Sequence, residues 1–218
     1  MTAFLIETKS VLFIHGFLGG GWSLFFFAKG FKKKGWNTFN WEYQGREKRI
    51  EEHAENLALQ LQKSFFTPPV YYVAHSMGSL VLRGALNHPR CPTWAKEGKA
   101  VLLAPPNKGA SLGRLLAKFE LAKKVAKEYA GKQLMTETDF PHLGEFPLTL
   151  DVFVIAGNFG INPFIQGEND GVVAVKETQL NTPHKRIVLK KGHNSLLLSR
   201  QAFKLTEQFF KGSHEQSF

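Results

Sequence analysis

The chain has 218 residues, 43% hydrophobic and 21% charged, with a formal net charge of +10. That balance excludes a disordered, low-complexity or collagen-like chain and suits one globular domain with a large core. Cys91 is the only cysteine, which excludes an intrachain disulfide and suits a reducing compartment, and no apolar run nears the roughly 18 residues of a membrane span.

The first residues carry no basic leader, and their apolar stretch is broken at Glu7, so a cytoplasmic protein is expected. Val11-Leu12-Phe13-Ile14 then reads as a buried strand of a segment spanning 10–14, ending in His15-Gly16-Phe17-Leu18-Gly19-Gly20. Gly16 permits a tight turn there, after which the Phe17 N–H can serve as an anion donor; the plainer reading is a strand ending in a glycine-rich loop. Gly19-Gly20-Gly21 is not a phosphate loop, since no Lys-Ser/Thr follows, and Leu24 breaks a dinucleotide fingerprint. A helix is predicted over 22–34. Its Trp22, Phe25, Phe26 and Phe27 read first as core packing and second as the wall of an acyl pocket. Lys32-Lys33-Lys34 before Gly35 fits a helix C-terminus, where cations complement the dipole and glycine the left-handed cap.

A second strand is predicted over 37–42 and a helix over 47–66. The apolar run Val70-Tyr71-Tyr72-Val73 begins a third strand over 70–75, and a helix pattern over 77–88 comes straight after it. Ala74-His75-Ser76-Met77-Gly78 lies at that junction. A serine on a sharp strand-to-helix turn, flanked by small residues two before and two after, is a nucleophile elbow. Gly78 meets the steric demand, and Ala74, where the usual motif has glycine, is still small. The Met77 N–H, at the start of the helix, points where an oxyanion would form. His75 beside it reads as a packing or supporting residue rather than the base.

A fourth strand is predicted over 99–104 and a fifth over 151–157. Glu168-Asn169-Asp170-Gly171 follows as a turn segment, and a sixth strand, 185–190, leads into Lys191-Gly192-His193-Asn194 and a helix over 194–210. Between the fourth and fifth strands, Leu112, Leu115, Leu116 and Phe119 have the spacing of one helix face within an expected helix 110–130. Strands alternating with helices imply a parallel sheet covered on both faces. His15, Ser76, Asp170 and His193 all follow strands, so they fall together on the edge where such sheets bind ligands.

With its Phe13-Ile14-His15-Gly16-Phe17, Ala74-His75-Ser76-Met77-Gly78, Leu103-Ala104-Pro105-Pro106-Asn107-Lys108-Gly109, Asn169-Asp170-Gly171-Val172-Val173 and Gly192-His193, the chain resembles a small α/β-hydrolase of the lipase/esterase type. Its layout is similar to that of minimal bacterial lipases, over about residues 10–195. The chain order Ser76, Asp170, His193 is that of this fold. The resemblance implies an α/β fold with about six mostly parallel strands in the order 2-1-3-4-5-6 within one domain, 1–218. It also implies either a small lid over about 107–149 or a plain helix with a long loop, and residues 211–218 read as a frayed tail.

The chemistry so implied is acyl transfer. Ser76 is the nucleophile, His193 the base, Asp170 its orienting acid, and the N–H groups of Phe17 and Met77 the oxyanion hole, shaped by His15, Gly16 and Gly78. Glu168 is the rival acid. A carboxylic ester with an apolar acyl chain is the expected substrate; thioester hydrolysis or acyl transfer would use the same residues. A non-catalytic binding module is the contrasting reading, opposed by the complete set of residues. No cofactor or metal is expected, since zinc spacings and H-E-x-x-H are absent. Seven basic residues between Lys108 and Lys132, against Glu120 and Glu128, suit either a solvated helix face or weak contact with an anionic membrane surface. Basic residues without a recognisable motif do not suggest nucleic-acid binding.

Overall fold

The computed structural model describes residues 9–63, 68–117, 119, 129–160, 162 and 164–212. Six strands form one parallel sheet in the order β2-β1-β3-β4-β5-β6. They are β1 (Ser10–Ile14), β2 (Asn37–Trp41), β3 (Val70–His75), β4 (Gly98–Leu103), β5 (Leu150–Gly157) and β6 (Lys185–Leu189). β1 and β3 are buried along their whole length, which is why they read as unbroken apolar runs. The polar, partly exposed β2 and β6 form the two edges.

Helices cover both faces, and strand alternation decides which side chains each face receives. Val11, Phe13 and Phe153 point toward α1 (Phe25–Lys33), whose Phe27 and Phe31 form one core with Phe209 and Phe210 near the chain's end. Leu12, Ile14 and Val152 point the other way, toward α2 (Ile50–Leu61) and α3 (Met77–Asn87). Those two helices approach so closely that a Cβ on Gly84 would lie 2.8 Å from that of Ala54. Cys91 is buried in this second core, and burial pushes its thiol up to about 11.

The helix boundaries depart from expectation where capping decides them. The first predicted helix opens with a 3-10 turn, Gly21–Leu24, before α1, and it ends at Lys34 and a left-handed Gly35 (φ 82°). The second is shorter than predicted. The last begins as a 3-10 turn, Ser195–Leu198, because the Ser199 hydroxyl accepts the Ala202 N–H at 3.2 Å and so starts the helix proper at Arg200.

The expected helix 110–130 is described only at its two ends, as α4 (Ser111–Leu116) and the start of α5 (Ala130–Thr136). Residues 118 and 120–128, including Lys123, Lys124 and Lys127, lie outside the described ones. α5 docks on the start of α2: Gln133 accepts the Ile50 N–H at 2.8 Å and donates to Glu51 at 2.9 Å. Behind it, the buried Arg83 of α3 donates to the carbonyls of Asp139 (2.7 Å) and Phe140 (2.8 Å). Both of those residues hold left-handed backbone, at φ 58° and 45°. The final helix, α6, is Arg200–Lys211. No helix among the described residues is long and apolar enough to cross a membrane.

Candidate active site

Ser76 stands between β3 and α3 at φ 52°, ψ −127°, a conformation that non-glycine residues seldom adopt. Its N–H donates to the Leu103 carbonyl at 2.9 Å, so the turn is anchored to β4. From Val70 through Leu86 every residue is buried except Ser76, which is half-exposed. Chain reversal here needs α3 to pass directly over β1. A Cβ on Gly78 would lie 2.5 Å from the His15 oxygen and 2.6 Å from that of Ile14, which explains the glycine. Ala74 is fully buried in the sheet between Ile14 and Leu102, where a methyl group fits. The Met77 N–H is the first of α3 and has no carbonyl in the preceding turn of helix to receive it.

Across from it, Gly16 packs against the elbow: a Cβ there would sit 3.1 Å from the Ser76 Cβ and 3.2 Å from His75 Nδ1. The Phe17 N–H has no hydrogen-bond partner among the described residues. The loop that presents it is braced from below. His15 is buried and stacks on Tyr43 with ring centroids 4.2 Å apart, and the Tyr43 hydroxyl donates to the His15 carbonyl at 2.7 Å. Burial lowers the His15 imidazole below its ordinary value, so it is neutral, and its Nδ1–H donates to the Gly16 carbonyl at 2.8 Å.

Asp170 and His193 meet through two bonds, and two more hold the Asp170 carboxylate in place. His193 Nδ1 lies 2.7 Å from Asp170 Oδ2, and the His193 N–H donates to the Asp170 carbonyl at 2.9 Å. Asp170 Oδ1 accepts the N–H groups of Val172 (2.9 Å) and Val173 (2.7 Å). Both side chains are buried, and a left-handed Gly171 (φ 96°) allows the chain to fold back over the carboxylate. His193 in turn lies against the elbow: its ring centroid is 4.8 Å from that of His75, whose Nε2 is 3.3 Å from the His193 carbonyl. Burial first, and the neighbouring His193 second, hold the His75 imidazole well below its ordinary value. His75 is therefore a neutral wedge between the two segments.

The other carboxylates stand elsewhere. Glu168 is exposed and accepts from the Asn158 amide at 3.0 Å. Asp139 pairs with Lys108 at 2.7 Å, and Asp151 lies at the amino end of β5, away from the site. The aromatic run after β1 divides: Phe27 is fully buried in the core, Phe26 packs against it, and Trp22 and Phe25 are exposed. Leu18, Phe159, Phe164 and Leu198, in the segments that follow β1, β5 and β6, are exposed as well. Among the described residues no cluster of His, Cys, Asp and Glu could hold a metal ion. Sequence reasoning missed Tyr43, Arg83 and Glu177. Only Glu177 had a local signal, as a glutamate three residues after the start of a short turn, where it accepts the Ala174 N–H at 2.9 Å.

Comparison with solved structures shows the α/β-hydrolase fold. The mature Bacillus licheniformis lipase BlEst2 superposes with a TM-score of 0.75 at 22% identity, covering 94% of this chain and 93% of that one. The metagenomic carboxyl esterase MGS0156 superposes with a TM-score of 0.73 at 13% identity, over 95% of this chain and 77% of that one. Phospholipase PlaB from Legionella pneumophila gives 0.68 at 15% identity, over 94% of this chain and 58% of that one. No protein-family model and no curated protein sequence matches the chain.

Proposed function

We propose that the protein is a serine hydrolase of carboxylic esters, working through an acyl-enzyme on Ser76. The observation that carries this reading is the elbow itself: one partly exposed serine in a buried strand–turn–helix, held at positive φ next to His75, whose ring lies 4.8 Å from that of the Asp170-bonded His193. Strain of that kind persists only where its surroundings enforce it, and it clusters at active sites. The solved structures of similar fold, described as a lipase, a carboxyl esterase and a phospholipase, agree with the reading.

In the proposed reaction Ser76 Oγ attacks the ester carbonyl carbon while His193 Nε2 takes the hydroxyl proton. Asp170 Oδ2 receives the Nδ1–H, which fixes the working tautomer and stabilises the imidazolium. Its other oxygen is occupied by two backbone N–H groups, so the carboxylate cannot rotate away. The tetrahedral oxyanion lies between the N–H groups of Phe17 and Met77, each worth about 3 kcal/mol of barrier. His193 then protonates the departing alcohol. Water, deprotonated by His193, attacks the acyl-enzyme and releases the acid. The exposed apolar side chains in the segments after β1, β5 and β6, Leu18 next to Phe17 among them, suit an acyl chain better than a charged one.

A fluorophosphonate probe tests the nucleophile. Intact-mass analysis is expected to show one adduct on the wild type and none on Ser76→Ala. An adduct that survives in Ser76→Ala would overturn the assignment. p-Nitrophenyl esters of rising acyl length then define the substrate.

A further inference from the structure

We infer that Glu177 is a positioning residue for Asp170, and that through it the insertion after β4 sets the alignment of the acid with His193. The inference rests on the triad proposed above. Three consecutive backbone N–H groups are shared between two buried carboxylates: those of Val172 and Val173 go to Asp170, and that of Ala174 goes to Glu177. The short segment 172–174 is thus gripped from both sides, and moving one carboxylate displaces the donors of the other.

Glu177 is in turn fastened to α4. Its carboxylate accepts the Ser111 N–H at 3.1 Å, the Ser111 hydroxyl at 2.7 Å and the Arg114 guanidinium. The same two stretches are joined by backbone bonds, from Lys108 N–H to the Glu177 carbonyl (2.9 Å) and from Leu112 N–H to the Val172 carbonyl (3.3 Å). α4 is packed on α5, so the insertion and the acid loop form one assembly with Glu177 at the joint. A buried charge of this kind is held only by a full set of donors. Glu177 makes no contact with Ser76 or His193 among the described residues and acts only through the loop.

Glu177→Gln keeps the shape but breaks the pattern. All four partners of the carboxylate are donors, and an amide NH2 must face at least one of them. The purified variant is compared with wild type by ester kinetics and by proton NMR of the hydrogen between His193 Nδ1 and Asp170. A misaligned acid is expected to lower kcat about tenfold to hundredfold, with KM within about twofold because the acyl site is untouched. The NMR resonance should broaden or shift. A folded Glu177→Gln with wild-type kcat and an unaltered resonance would overturn the inference, as would a loss carried wholly by KM. Should Glu177→Gln fail to fold, Ser111→Ala and Arg114→Met each remove one donor and decide the matter by the same two readouts. The NMR readout needs no turnover, so a wild type that resists the fluorophosphonate refutes the hydrolase reading while leaving Glu177 separately tested.

Discussion

The Ser76 turn and the Asp170 loop each hold one side chain still, and they do so by opposite means. At Ser76 the work is done by close packing: Gly78 lies on the Ile14 and His15 carbonyls, Gly16 lies on the elbow, and no side-chain hydrogen bond caps α3. At Asp170 it is done by hydrogen bonds, three to the carboxylate from Val172, Val173 and His193 and one to its carbonyl, with a further grip through Glu177. Close packing tolerates nothing larger than what is there. A hydrogen-bonded network loosens in steps, one donor at a time.

That contrast is broken most severely at Gly78. In Gly78→Ala the new methyl would meet the carbonyl oxygens of His15 and Ile14, at 2.5 and 2.6 Å, and rigid backbone cannot give way. The expected result is little soluble protein, or a melting temperature about 6–12 °C lower, since overpacking of this kind costs about 3 kcal/mol. A soluble Gly78→Ala with normal probe labelling would show the elbow to be more compliant than argued. Next comes Asp170→Asn, which leaves the fold intact but removes the charge that selects the His193 tautomer. Its kcat near neutral pH should fall about 10⁴-fold. Glu168→Gln, altering an exposed carboxylate that accepts from Asn158, should cost less than about tenfold. Reversal of those two losses in ester kinetics would make Glu168 the acid.

The smallest effect is on stability against pH. Burial pushes the His53 imidazole down to about 4 from its usual 6.5. The unfolded chain therefore binds a proton that the folded one refuses between those values. The contribution of His53 is full above 6.5 and is lost as pH falls toward 4, about 2 kcal/mol of it by pH 5. His15 and His75 are lowered too and act in the same direction. Urea unfolding at pH 7 and pH 5 should show the loss, and His53→Gln should reduce the difference. Equal pH dependence in that variant would place the proton uptake elsewhere.

The same division governs what could be read from the chain. The buried strands are each encoded by a short apolar run, so the strands were legible before any coordinates, while their order came from the family resemblance. The elbow was legible for a similar reason, since Ala74, Ser76 and Gly78 are neighbours. The insertion was not, because what holds it is distant: Gln133 reaches Ile50 across 83 positions, and Arg83 reaches Asp139 across 56. Glu177 finds Ser111 at a separation of 66, and nothing periodic announces such a pair. Helix ends were misread by a few residues wherever a single hydroxyl, such as that of Ser199, chose the first turn.

Cys91 turns the second core into its own clock. The chain carries this thiol alone, it is buried, and its ionisation is pushed up to about 11. An alkylating reagent at pH 8 meets almost no thiolate while the domain is closed and an ordinary one, near 8.5, once it opens. The rate of a single mass increment therefore counts openings of the layer between the sheet and α3 under native conditions, without denaturant, tag or substrate.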